Sequence, residues 1–151
     1  MSLSLLHSQA NIIRWLLINN LGLGVDPDVA PQGAWPIYAT SEPDEPDSVI
    51  TIYNTQGILD GRSMPTGEVF EHLGFQVRVR AITSNAGWTK ANEIARQMAE
   101  VVYRNWVIVD SAMYNVYAIT RKSGVLEVPE FPTSERKAFT INCIVALSRI
   151  N

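Results

Sequence analysis

The chain has 151 residues, of which 46% are hydrophobic and 18% are charged, and its formal net charge is -3. These totals predict a single folded domain over residues 1–151 and exclude a disordered chain. A net acidic charge argues against a general nucleic-acid-binding surface, which needs an excess of Lys and Arg, but it does not exclude a local basic patch. Cys143 is the only cysteine, so no intrachain disulfide forms.

The chain begins with leucine and isoleucine at helical spacing, which predicts a helix over residues 4–20 that ends at Gly22 and Gly24. No basic segment precedes the apolar run and no small-residue cleavage site follows it, so we do not interpret it as a signal peptide. No apolar run reaches the roughly 18 residues of a membrane span. The pattern favours a helix covering a sheet over a membrane-surface helix, whose polar face would carry Lys and Arg.

Residues 25–36 contain three prolines and one glycine and predict an irregular connection to a short apolar segment at 35–39, which Pro36 would keep at a sheet edge or turn. Residues 41–48, SEPDEPDS, place four carboxylates in one loop. A metal site there is conceivable, but the spacing matches no calcium loop and no glycine provides a tight turn. We therefore interpret 41–48 as a solvated acidic loop.

The next segments predict a strand, a turn and a long excursion. The β-branched run at 49–53 predicts a strand, and 54–57 contain turn residues. Residues 58–71 carry two glycines, a proline and scattered apolar residues, so they predict a long inter-strand loop, which we consider as an arm reaching a neighbouring subunit. Its glycines do not form a phosphate-binding loop, because no GK[ST] follows.

The most regular patterns occupy 75–106. Residues 75–81 alternate as a strand buried on one side; the apolar side carries Phe75, Val77, Val79 and Ala81, and the polar side carries Gln76, Arg78 and Arg80. Helical spacing then predicts a helix over 89–105, with Asn85 or Thr89 as its cap.

The remaining segments predict strands at 113–120 and 125–128, a proline-containing loop at 127–134 and a long strand at 137–150. The last strand has a mixed second face, which indicates either a central strand or a face that meets a partner subunit. The predicted fold class is α+β: a mainly antiparallel sheet of about four strands, with two helices packed on one face and a long inter-strand loop.

The residues predict no catalytic, cofactor or metal site. His7 and His72 have no Ser, Cys or Asp partner at a motif spacing. Cys143 lies on an apolar strand face without a basic neighbour in sequence, which favours a buried small hydrophobe over a reactive thiolate. A small enzyme with a carboxylate site in 41–48 is the alternative, but catalytic carboxylates need apolar burial that this loop does not offer.

Arg78 and Arg80 share one side of a strand. They either pair with acidic neighbours on a solvated face or form a positive stripe that meets a subunit or a polyanion. On the second interpretation, the residues predicted to contact a subunit or partner are Asp60, Arg62, Glu68, Glu71, Arg78 and Arg80.

Several strings, in this order, resemble the tail terminator proteins of bacteriophages with long non-contractile tails, the lambda-like family also described as phage minor capsid proteins. Each string is weak alone, and their order and spacing carry the likeness. The Pro-rich turn at 130–134 departs from the Asp- and Gly-containing turn of that family. The strings are VITIYNTQG at 49–57, HLGFQVRVRA at 72–81, the helix with Ala91, Ile94 and Ala95, YAITRKSGVLEV at 117–128 and RKAFTINCIV at 136–145.

The resemblance implies a virion structural protein rather than an enzyme. Such a protein caps the finished tail tube as a ring of six copies, stops its polymerisation and joins it to the head connector. The implied partners are further copies of itself, the tail tube protein and the head connector or stopper protein, and DNA passes through the ring without tight binding. Assembly in the bacterial cytoplasm and no membrane contact are expected. A head-completion or stopper protein of the neck is the alternative in the same class.

Overall fold

The computed structural model describes residues 4–29, 34–62, 69–101, 105–128 and 135–150, with the backbone alone at 58–62, 69–71 and 105. Helix α1 (Gln9–Trp15) continues into a π-helical turn (Leu16–Asn20), and helix α2 is Ser84–Ala99. The strands are β1 (Ile37–Ala39), β2 (Val49–Arg62), β3 (Val69–Ala81), β4 (Asn105–Val109), β5 (Ala112–Arg121), β6 (Leu126–Val128) and β7 (Lys137–Arg149).

The seven strands form one sheet of order β1-β2-β3-β7-β5-β4, with β6 paired to β7. β1 runs parallel to β2 and the other pairs are antiparallel. The predicted α+β fold with about four strands is therefore wrong: the protein is mostly β, with a curled mixed half-barrel sheet and two short helices. Two segments account for most of the difference, namely the predicted long loop and the end of the predicted second helix.

The predicted turn at 54–57 and loop at 58–71 are largely a β-hairpin made of β2 and β3. The strands pair from Val49 opposite Arg80 to Arg62 opposite Val69, with register shifts after Thr55 and Leu59. Residues 63–68 lie outside the described residues. A Cβ on Gly57 would lie 2.0 Å from the His72 carbonyl oxygen. The glycine that signalled a turn thus permits a close approach of two strands instead.

The predicted second helix runs to residue 105, whereas residues 105–109 form β4. The β-branched run Val107–Ile108–Val109 suits a strand, and β4 pairs with β5 through a two-residue turn in which Asp110 and Ser111 have φ of 46° and 73°. Two successive left-handed residues match the twist of a tight hairpin. Trp106, which continues the helical spacing of apolar residues in the sequence, is instead 54% exposed on this strand.

Helix α2 begins five residues before its predicted start and ends six before its predicted end. Thr83, rather than Asn85 or Thr89, is the N-cap, and its hydroxyl accepts a hydrogen bond from the backbone amide of Ala86. Capping by a threonine in extended conformation satisfies an amide that the first turn leaves unpaired.

One core lies between the sheet and both helices. In β3, Phe75, Val77 and Val79 are fully buried on the face that we call the core face. Helix α2 contributes Ile94 and Met98 to the same core cluster, as α1 contributes Ile12 and Ile13. β7 lies between β3 and β5, so its mixed second face belongs to a central strand. The opposite face of the sheet, which carries Arg78 and Arg80, is called the outer face below.

Replacing Gly87 by alanine should destabilise the protein by about 1–3 kcal/mol, because overpacking a filled core forces neighbours to move. The added Cβ would lie 2.5 Å from the ring of Phe139, which is 2% exposed and packs edge-on against Trp88. This cost should exceed the ~1 kcal/mol gain in helix propensity. Gly124→Ala is the control, since nothing lies within 4 Å of its Cβ. Urea unfolding measures both; equal stability of G87A and wild type would contradict the packing described.

Candidate functional site

The outer face of the sheet is covered at one end by the acidic loop, residues 41–48. Arg80, 4% exposed, lies beneath the loop and donates hydrogen bonds to three backbone carbonyl oxygens: those of Asp44 at 3.1 Å, Pro46 at 2.7 Å and Asp47 at 3.4 Å. Its guanidinium also lies 3.7 Å from the Glu42 carboxylate. A planar donor with five N–H groups can satisfy several acceptors of one loop at once. Arg80 therefore fixes the backbone of the acidic loop.

Glu42 joins the loop to both strand arginines. Its carboxylate accepts a hydrogen bond from Nε of Arg78 at 3.2 Å, and the side chains of Glu42 and Arg78 are both mostly buried. Burial raises the pKa of the Tyr53 hydroxyl, and the nearby Glu42 carboxylate raises it further. The charges of Arg78 and Arg80 thus face an acidic residue of their own chain.

Arg136 holds the other end of the loop. Its guanidinium contacts the Asp47 carboxylate at 2.7 Å and approaches that of Glu45 at 4.0 Å. Glu45 is nevertheless 87% exposed, and Asp44 is exposed as well. The loop therefore presents two carboxylates to solvent from a backbone that arginines hold in place. Such exposed carboxyls lack the apolar surroundings that adapt an acid to catalytic proton transfer.

The predicted interface residues do not come together within one chain. Asp60 and Arg62 lie in β2 and Glu71 lies in β3 opposite Leu59, while Glu68 lies outside the described residues. Arg78 lies seven positions after Glu71 along β3, and at about 3.3 Å per residue the two are roughly 23 Å apart. An ion pair between Glu71 and Arg78 would thus need a second copy of the chain. The role of the predicted residues at an interface stays a prediction.

His7 contacts a core tyrosine, and Cys143 belongs to the core. Nδ1 of His7 lies 2.7 Å from the hydroxyl of the fully buried Tyr114, and Nε2 lies 3.4 Å from the Asp110 carboxylate. His72 lies in β3, and Cys143 is buried in β7. In the described part of the chain, no three His, Cys, Asp or Glu residues are grouped to hold a metal ion.

A second exposed feature is the edge strand β4. Trp106 and Ile108 are 54% and 59% exposed on the outer face, while the alternate Val107 and Val109 enter the core. Within the described ranges only β5 pairs with this strand, and the Asn20 side chain donates to the carbonyl oxygen of Trp106 at 2.6 Å. Large apolar side chains on an edge strand are typical of a contact with another protein.

Comparison with known families decides the class of protein. The family model described as bacteriophage tail terminator protein matches residues 17–101, which is more than half of the chain. The chain belongs to this family. The match includes the acidic loop, the β2–β3 hairpin and α2, whereas the similar strings at 117–128 and 136–145 lie beyond it. A comparison with curated proteins gives no match.

This tail terminator family member is a structural protein of the phage tail and a component of the virion. Its family implies contacts with other phage tail or head proteins. None of the helices in the described ranges is long and apolar enough to cross a membrane.

The sequence identified the arginines and the acidic loop separately but did not connect them. Alternation along β3 placed Arg78 and Arg80 on one face, and the loop precedes the strand beside them, so charge complementarity was the available signal. No local pattern indicated the contact of Arg136 with the loop. Arg136 is 89 residues from Asp47 in sequence, and the antiparallel pairing of β7 with β3 brings the two together.

Replacing Arg80 by methionine should lower the free energy of unfolding by about 2–4 kcal/mol, because the loop loses several hydrogen bonds to a charged donor. It should also speed amide hydrogen exchange across 41–48. Arg121→Met serves as the control, since the side chain of Arg121 is exposed and makes no ion pair or hydrogen bond within the described residues. Urea unfolding and hydrogen-exchange mass spectrometry provide the measurements. Unchanged exchange in R80M would show that the loop does not depend on Arg80.

Cys143 should resist thiol reagents in the native protein at pH 8. Burial raises the pKa of its thiol from 9.0 to about 12, which the neighbouring Arg121 only partly offsets. Between about pH 9 and 12 the unfolded chain loses this proton before the folded one, so this group's contribution to stability falls as pH rises. Labelling with a chromogenic disulfide, with and without denaturant, is the measurement. Rapid labelling of folded protein would show that the thiol is accessible.

Proposed function

We propose that this protein caps the finished tail tube as a ring of six copies, stops tube polymerisation and provides the surface that joins the tail to the head. Its partners on this proposal are further copies of itself, the tail tube protein and the head connector or stopper protein. Phage DNA passes through the ring without tight binding, and assembly takes place in the bacterial cytoplasm. The family match over residues 17–101 carries the proposal.

The β2–β3 hairpin supports a role in assembly. Within the described residues, β1 pairs only with Ile50 to Ile52 of β2, and β7 pairs with β3 only from His72 onward. Beyond those positions, residues 59–62 and 69–71 form a two-stranded ribbon with which no other described strand pairs. An isolated ribbon of this kind is marginally stable in water, so packing against a neighbouring subunit or the tube would stabilise it. Asp60, Arg62 and Glu71 belong to this ribbon. Together with Glu68, which lies outside the described residues, they remain our candidates for that contact.

The exposed edge strand β4 supports the same role. Trp106 and Ile108 expose apolar surface beside an edge that no other described strand covers. Burying them against another virion protein would be favourable at roughly 25 cal/mol per Å² of apolar surface. Binding of this kind needs shape and complementary charge rather than reactive groups, so we propose that the protein acts without catalysis.

Deleting the gene from its phage should yield tails of abnormal and variable length that are not joined to heads. Without a cap nothing ends the addition of tube subunits, and the joining surface is missing. Electron microscopy of lysates measures tail length and the fraction of tails attached to heads, and plasmid-borne wild-type protein provides the control. Tails of normal length attached to heads in the deletion phage would overturn the proposal.

A further inference from the structure

A groove of about 720 Å³ lies where helix α2 passes the end of strand β5. Helix α2 packs on the core face, so the groove is on the opposite side of the sheet from the acidic loop. It is lined by Trp88, Thr89, Asn92, Glu93, Ala95, Arg96, Ala99 and Arg121.

Two cationic side chains of this groove have no partner of opposite charge. Arg96 and Arg121 are exposed, and no carboxylate of the described residues lies within ion-pair distance of either. Glu93, the carboxylate in the lining, pairs with Lys90 at 3.5 Å. Since guanidinium groups bind carboxylates in bidentate geometry, the groove is suited to an acidic segment.

The groove also offers an aromatic surface. Trp88 is 49% exposed, although its ring packs edge-on against Phe139 at 6.1 Å between centroids. An exposed indole held in one orientation is a surface on which proline rings pack, as in grooves that bind proline-rich segments. The favoured occupant therefore combines carboxylates with proline.

The acidic loop of this same chain has that chemistry. Its central residues Pro43, Asp44, Glu45 and Pro46 place two exposed carboxylates between two prolines. Arg80 and Arg136 already hold the loop in place, so docking it would cost little conformational entropy. The same arginines hold it on the outer face, so the loop of one copy does not enter its own groove.

We propose that the acidic loop of one copy docks into the α2–β5 groove of the next, with the carboxylates of Asp44 and Glu45 pairing with Arg96 and Arg121 and a loop proline packing on Trp88. Because the loop and the groove lie on opposite faces, each copy contacts one neighbour through its loop and the other neighbour through its groove. Contacts of this head-to-tail type generate closed rings when the rotation between copies closes. The inference rests on the proposed ring and names the surfaces that form it.

Reversing the charges on each side separately tests the contact. The groove variant is Arg96→Glu with Arg121→Glu, and the loop variant is Asp44→Arg with Glu45→Arg. Controls with the same change in net charge are Lys122→Glu with Lys137→Glu and Glu127→Arg with Glu135→Arg, all at exposed positions. Each is supplied from a plasmid to the deletion phage. Tail length and protein incorporated into particles are the readouts, and circular dichroism checks folding.

We expect the groove and loop variants each to lower incorporation at least tenfold when supplied alone. Supplied together they should recover, because alternating copies restore opposite charges at every contact, which a ring with an even number of copies allows. Both control variants should match wild type. Wild-type behaviour of the groove and loop variants would overturn the inference, as would failure of the mixture to recover.

Disulfide cross-linking measures the contact independently of tail assembly. Purified Glu45→Cys and Arg121→Cys proteins are mixed under mild oxidation, with Cys143 left in place because it is buried. The mixture should give a heterodimer at least tenfold above the level with Lys122→Cys in place of R121C. No excess would overturn the docking even if the deletion phage makes abnormal tails. Duplex DNA is the probe for a different ligand. If the groove variant loses binding to duplex DNA that the wild type shows, and R121C gives no excess of heterodimer, the groove binds phosphate instead.

Discussion

The strict alternation along β3 is the constraint on which the rest of the structure depends. Val77 and Val79 are fully buried against the helices, and Arg78 and Arg80 leave the strand on the other side. A strand with a period of two cannot slip by one residue without exchanging these sets. The same few residues therefore fix the register of the sheet, the position of the core and the place of the acidic loop.

Much of the sheet was predictable from residue patterns, and its extent was not. Alternation located 75–81 and the long C-terminal strand, because each buries one complete apolar face. The hairpin was missed because Gly57 and Gly61 indicate turns when only local sequence is read, while pairing with a partner strand overrides that tendency. Strand β4 was missed because Val101, Val102 and Trp106 continue the helical spacing of α2 by coincidence.

The candidate site shows the same division between local and long-range information. Local patterns identified Arg78 and Arg80 as unusual and 41–48 as acidic. That Glu42 binds both arginines, and that Arg136 comes from the far end of the chain to Asp47, follows from the order of strands in the sheet, which local patterns do not encode. Local patterns thus predict on which face of a helix or strand a residue lies, whereas the residues that it contacts depend on the order of the strands.

The arginine beneath the acidic loop binds carbonyl oxygens, and every residue type has a carbonyl. The three hydrogen bonds from Arg80 to residues 44–47 consequently do not depend on which side chains stand at positions 44 and 45. Those two exposed positions can change in charge, size or polarity while these hydrogen bonds remain. The outward surface of this loop can therefore vary without loss of the contacts that Arg80 makes with its backbone.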